Sequence, residues 1–208
     1  NEFLDALPIR QFEHTAAGWC ERLVAADPQG DGLAWTLSPP IARPPMLPAA
    51  ALAAPVGAIA EVSPAIIGLV DAVGRRVAET GGAALFIDYG HARSAPGDTL
   101  QAVRGHAYHD VRADPGHADV TAHVDFETVG RVGREAGAHV LGPVNQGDFL
   151  ERLGIAARAE MLIATATPAQ AEAIRSARHR LTAPEAMGTL FKVVALQHRD
   201  LPTPPGFA

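Results

Sequence analysis

Two carboxylates three residues apart open the chain: Glu2 and Asp5, in Asn1-Glu2-Phe3-Leu4-Asp5-Ala6-Leu7-Pro8. On one helical turn that spacing puts both side chains on one face, and Pro8 ends the turn. A second cluster, Asp88, Tyr89, Gly90 and His91, follows the apolar run Ala83 to Ile87. The run reads as a strand buried on both faces, of the kind a parallel sheet needs, and ligands of open α/β sheets bind beyond the carboxyl ends of such strands. A carboxylate, a phenol, a flexible glycine and an imidazole placed there suggest a site. The other reading of Asp88 is a turn residue that bonds nearby backbone amides. In Thr121-Ala122-His123-Val124-Asp125-Phe126, residues 121, 123 and 125 share a face if the segment is extended. Asp125 also stands where it would cap a helix over residues 126 to 137, whereas His123 has no comparable structural duty.

Five of the nine histidines, His91, His106, His109, His117 and His123, crowd one stretch, with Asp110 and Asp114 among them. Imidazole and carboxylate suit several divalent ions, so a histidine-carboxylate metallohydrolase is one reading. Pro115 and Gly116 break the run, and no His-Glu-x-x-His spacing is present, so no metal is expected. Cys20 is the single cysteine, which rules out an internal disulfide and a cysteine metal cluster and fits a reducing compartment.

The elements that must position these residues read as α/β. Ile9 to Phe12, Trp19 to Ala25 and Leu33 to Leu37 are short and partly alternating, with the strong turn Asp27-Pro28-Gln29-Gly30-Asp31-Gly32 before the last, so an antiparallel meander is expected. Six prolines between residues 38 and 55 make an irregular connection across the surface. Ile59 to Val62 is a short strand. Ser63-Pro64 then starts a helix carrying Ile66, Ile67, Val70, Val73 and Val77 at helical spacing, closed near Gly81-Gly82. Gly97 to Gln101 leads into a short helical pattern. A strand over Val140 to Val144, a helical pattern from Gln146 to Leu153, a helix over 168 to 180 and a final strand over 190 to 196 complete the chain. A net charge of −6, a pI of about 5.8 and scattered basic residues argue against a nucleic-acid surface. The longest weakly polar run, Met46 to Ala60, is broken by Pro48 and Pro55 and falls short of a membrane span. No signal peptide is expected from the opening residues.

The motifs taken together resemble one family. Asn1 to Pro8, Glu61-Val62-Ser63-Pro64, Ile87-Asp88-Tyr89-Gly90-His91, Gly97-Asp98-Thr99-Leu100-Gln101, Thr121 to Phe126, Gln146-Gly147-x-Phe149-Leu150 and Met187-Gly188-Thr189-Leu190-Phe191-Lys192-Val193 follow, in order, the pattern of the MidA family. These are class I S-adenosylmethionine-dependent methyltransferases whose mitochondrial members assemble respiratory complex I and methylate a protein arginine. The resemblance implies a Rossmann-like sheet with the meander as an insertion and an antiparallel final strand. It also implies S-adenosylmethionine as cofactor, a protein substrate carrying an arginine, and a cytoplasmic location, or the mitochondrial matrix in a eukaryote. In the family the glycine-rich cofactor loop lies upstream of the Asn-Glu-Phe motif. Residues 1–208 are therefore expected to form the C-terminal part of one methyltransferase domain, an incomplete copy that binds the cofactor weakly or not at all.

Methyl transfer from a sulfonium is an in-line displacement, in which the enzyme positions donor and acceptor. A guanidinium is always protonated and presents a rigid fork of donors, which carboxylates must hold. The resemblance puts Glu2 and Asp5 beside the donor, with Asp88 completing a catalytic set. Asn1, Tyr89, His91, His123 and Asp125 form the substrate-binding rim, and His123 is the proton acceptor. The competing expectation is a non-catalytic interaction module that keeps the partner-binding surface. In either case the strand over Ala83 to Ile87 would carry an unpaired edge, so self-association into a homo-oligomer is expected.

Overall fold

Strand-forming stretches dominate the first third of the chain, and in the computed structural model, which describes all 208 residues, they pair as neighbours. β1 (Arg10–Thr15), β2 (Gly18–Ala26) and β3 (Leu33–Leu37) form the expected antiparallel meander. The proline-rich connection contains one helical turn, α1 (Ala49–Leu52), after which β4 (Ile59–Val62) adds to the free side of β1. The result is a four-stranded sheet, ordered β3-β2-β1-β4, with its own core of Phe12, Trp19, Leu47, Ala51, Ala60 and Val62.

α2 (Pro64–Thr80) begins as its sequence dictates: Ser63 Oγ accepts the Ile66 N–H at 3.1 Å, and Pro64 fills the first helical position. β5 (Ala83–His91) follows, and then β6 (Gln101–Arg104), β7 (Ala107–His109) and β8 (Asp119–Thr121) form a small antiparallel sheet, β7-β6-β8. The helical pattern expected after Gly97 is absent. Gly97 N–H donates to Ile59 O, and the Thr99 and Leu100 amides donate to Glu61, so these backbone groups are satisfied by β4 and not by their own turn.

β9 (Val124–Asp125), α3 (Phe126–Glu135), β10 (His139–Asn145), α4 (Gln146–Arg152), α5 (Ile155–Ile163), α6 (Pro168–Thr182), a π-helical turn over Pro184–Gly188 and β11 (Phe191–Gln197) complete a mixed α/β fold with three sheets. α5 escaped the sequence reading. The central sheet runs β10-β11-β5-β9, with β11 antiparallel to both neighbours. α2 and α3 cover one face, and Val70, Val77, Phe126, Val129, Val194 and Leu196 make the main core.

β5 departs from expectation in two ways. It continues to His91, so the polar cluster lies inside the strand instead of beyond it. Nor is the run Ala83 to Ile87 buried on both faces, since Ala83 and Leu85 are exposed; its edges differ too, with β11 pairing to Ala83 through Tyr89 on one side and β9 meeting only Gly90 and His91 on the other. The Glu2 N–H reaches Ile87 O at 2.9 Å, and Leu85 is 48 % exposed. β11, with a neighbour on each side, is buried along its whole length.

Candidate active site

The start of the chain is folded back onto β5 by one carboxylate. Asp88 Oδ2 accepts the N–H groups of Phe3 at 3.0 Å, Leu4 at 2.9 Å and Asp5 at 3.3 Å, while Oδ1 accepts that of Tyr89 at 2.9 Å. Four amides around a side chain only 1 % exposed make a fully satisfied buried acceptor. Burial, and after it the negative charge of Asp5, push this carboxyl above its ordinary range, against the pull of the Phe3, Asp5 and Tyr89 amides. Asp88, expected among the gripping groups, is thus occupied with backbone and shapes the turn that carries Asp5.

That turn is not helical, and Glu2 and Asp5 do not share a face. Glu2 has a φ of 47° and is exposed, with the Asn1 side-chain amide donating to its Oε1 at 3.1 Å. Asp5 points inward and is 8 % exposed. The Tyr89 hydroxyl donates to Asp5 Oδ2 at 2.7 Å, and Asp5 Oδ1 is buried with no hydrogen-bond partner. Burial pushes the Tyr89 phenol up to about 12; Asp5 adds to the rise, while Thr121 and Gln101 oppose it. The fold therefore holds a buried carboxylate oxygen without a donor, next to a second buried carboxylate and no paired cation, a placement that favours a cationic group with N–H donors.

The Tyr89 ring links this locus to a cavity. It meets the His123 ring edge-on at 5.5 Å and Phe191 at 5.5 Å. His91, His123 and Asp125 line a cavity of about 180 Å³ whose apolar walls include Leu4, Val62 and Ile66. Asp125 is not free there: Oδ1 caps α3 through the amides of Glu127 and Thr128, and Oδ2 accepts the hydroxyls of Ser94 and Thr128. Thr121, His123 and Asp125 do not lie along one strand, because the chain leaves β8 at Thr121 and enters β9 only at Val124. Burial, then His91, and further on Lys192 hold the His123 imidazole below its ordinary value, with Glu61 opposing them. A neutral imidazole facing a cavity can accept a proton.

Sequence reasoning missed Glu61 and Thr99, which also line the cavity, and buried Lys192, whose ammonium donates to the carbonyls of Thr189 and Leu190. Burial lowers the Lys192 pKa. The signal available was the presence of all three inside the motifs quoted above. No three His, Cys, Asp or Glu side chains are placed to hold a metal ion. A Cβ at Gly90 or Gly147 would stand 2.1 Å from Val124 O or 2.5 Å from Thr182 O, so both glycines are packed against protein backbone.

Comparison with known proteins identifies the family. Residues 1–144, which hold every expected site residue, match the family described as "Putative S-adenosyl-L-methionine-dependent methyltransferase". The chain belongs to the MidA family. Among curated members, the mitochondrial protein arginine methyltransferase NDUFAF7 of Danio rerio is 37% identical over 197 residues, covering 92% of this chain and 45% of the relative; the Homo sapiens protein of that name is 36% identical, covering 94% and 44%. The chain thus spans about half the length of the curated MidA relatives it matches. A Burkholderia thailandensis crystal structure superposes over all of this chain and 56% of its own, with a TM-score of 0.85 and 33% identity. A second from that organism, bound to S-adenosyl-homocysteine, covers all of this chain and 55% of its own at a TM-score of 0.83 and 33% identity.

Proposed function

We propose that the chain supplies the acceptor side of an S-adenosylmethionine-dependent methyltransferase that modifies a protein arginine, and that it forms the C-terminal part of a single Rossmann-like domain. The observation that carries the reading is the buried Asp5 Oδ1, unpaired beside Tyr89 and Asp88. A guanidinium would give that oxygen its missing donor and offset two buried carboxylates. Family membership, relatives named as arginine methyltransferases and a related structure with bound S-adenosyl-homocysteine support the choice of donor and acceptor. The Rossmann-like assignment is supported by the free edge of β5: the Glu2 N–H to Ile87 O bond is the rung at which a parallel neighbour of β5 would end.

In this reading Asp5 holds the guanidinium fork, Asp88 fixes the turn that aims Asp5, and Glu2 and Asn1, exposed at the rim, face the donor. S-adenosylmethionine, when bound, supplies an electrophilic methyl group. His123, held neutral, takes the proton the methylated guanidinium sheds, and His91 and Asp125 complete the cavity rim. The relatives are named as mitochondrial, so the matrix is the proposed location in a eukaryote and the cytoplasm otherwise.

The test incubates the product of the whole reading frame with S-adenosylmethionine and arginine-containing proteins, and maps methylated residues by mass spectrometry. Methylarginine that falls about 100-fold in Asp5→Asn, with the melting temperature retained, is the expected result, since removing a buried charge partner costs on that scale. Cofactor binding without methyl transfer to any arginine would overturn the reading in favour of an interaction module. In calorimetry, the 208-residue chain alone is expected to bind the cofactor weakly.

A further inference from the structure

Three motifs far apart in sequence meet at one carboxylate. Glu61, next to the last residue of β4, accepts the Gln11 side-chain amide at 2.8 Å and the Thr99 and Leu100 backbone amides at 3.0 and 3.1 Å on Oε1, and the Thr99 hydroxyl at 2.5 Å on Oε2. Thr99 Oγ1 in turn accepts the His123 backbone N–H at 2.9 Å. A hydroxyl has one hydrogen; once it is committed to Glu61, only a lone pair is left to face His123, so the direction of the relay is fixed. An ionised acceptor at its head strengthens each bond downstream. The His123 ring makes no side-chain hydrogen bond within the chain. Its orientation rests on this backbone anchor, on the edge-on contact with Tyr89 and on the cavity walls.

Building on the proposed arginine methylation, we infer that Glu61 is a positioning residue, which through Thr99 sets the place of His123 in the cavity. Both oxygens of Glu61 are taken up by Gln11, Thr99 and Leu100, so it acts through them. Its carboxylate belongs to the antiparallel insertion, while His123 stands at the entrance to the central sheet, so the relay joins the insertion to the site. A merely structural role would tie the loop over 97 to 100 to β4 and leave the imidazole where it is when the Thr99 hydroxyl is removed, since the charge of Glu61 acts on the ring through space in either case. A positioning role makes His123 sensitive both to the charge of Glu61 and to the hydroxyl of Thr99. The charged and titratable groups that bear on this imidazole are His91 from β5, Lys192 from β11, Glu61 from β4 and, through its ring, Tyr89.

The experiment follows the His123 imidazole by NMR titration in the 208-residue chain, assigned with His123→Asn, and measures kcat and KM for arginine methylation in the product of the whole reading frame. Glu61→Gln removes the one charge that holds the His123 value up, so its titration midpoint is expected to move to lower pH, with kcat falling about tenfold and cofactor affinity unchanged. Thr99→Val is expected to move the imidazole chemical shifts and titration midpoint and to lower kcat likewise, while Thr99→Ser, which keeps the hydroxyl, returns them to their wild-type values. If Glu61→Gln does not fold, the Thr99 pair carries the test. An unmoved titration in Glu61→Gln and Thr99→Val, with methylation intact, overturns the positioning role. Moved titrations in a protein that methylates no arginine overturn the proposed function and leave the relay standing.

Discussion

The Tyr89 hydroxyl gives its only proton to Asp5 across 84 residues of sequence, and that bond adds to burial in making the phenol resist ionisation. Burial raises the cost of the phenolate, and the carboxylate beside it raises it further. In a Tyr108→Phe protein, where the phenolate absorbance reports Tyr89 alone, the transition is expected near pH 12 instead of the ordinary 10.0. The folded value lies above the unfolded one, so the contribution of this group to stability is complete below about pH 10 and is lost as pH rises through about 12. A Tyr89 transition in the folded protein at the unfolded value would contradict the buried Asp5 contact. Asp88 and Tyr89 were visible in the sequence as a polar cluster after an apolar run. Their partners were not, because Asp5 and the amides of Phe3 and Leu4 come from a turn whose direction only Asp88 decides.

At the scale of elements, local chemistry was legible where it was self-sufficient. Ser63-Pro64 and Asp125 cap α2 and α3 with their own side chains, and Asp27 to Gly32 joins β2 to β3 as turn residues should. What failed was any element whose hydrogen bonds leave it. The stretch after Gly97 lost its helical pattern to Glu61, and β5 runs four residues past its apolar part because β11 and β9 continue to pair with it. Gly90 permits the last of these contacts: a Cβ there would stand 2.1 Å from Val124 O and 2.6 Å from Val124 N, backbone atoms that cannot yield without parting β9 from β5. Gly90→Ala is therefore expected to destabilise the fold by about 3 kcal/mol or more in chemical denaturation, at the upper end of overpacking costs, and to displace His123 with β9. A loss below about 1 kcal/mol would mean that the β5–β9 approach is looser than described.

For the whole molecule, the decisive feature is the side of β5 that nothing covers. Ala83 to Phe86 have β11 on one flank and no strand on the other, and Leu85, on the face opposite the main core, is 48 % exposed. β5 is also the strand that holds Asp88 and Tyr89, so whatever pairs with its edge lies next to the candidate site. An apolar strand edge with unpaired amides recruits another strand, and natural edges are protected by short length, bulges or charge, none of which occurs over Ala83 to Phe86. The 208-residue chain is therefore expected to associate in a concentration-dependent way in sedimentation velocity. Leu85→Lys places a charge on that exposed position without touching Asp5, Tyr89 or the cavity, and is expected to move the protein toward the monomer with its thermal stability nearly unchanged. If Leu85→Lys associates as the unmodified chain does, the contact lies elsewhere, and the exposed Met161 and Leu162 of α5 become the surface to substitute next.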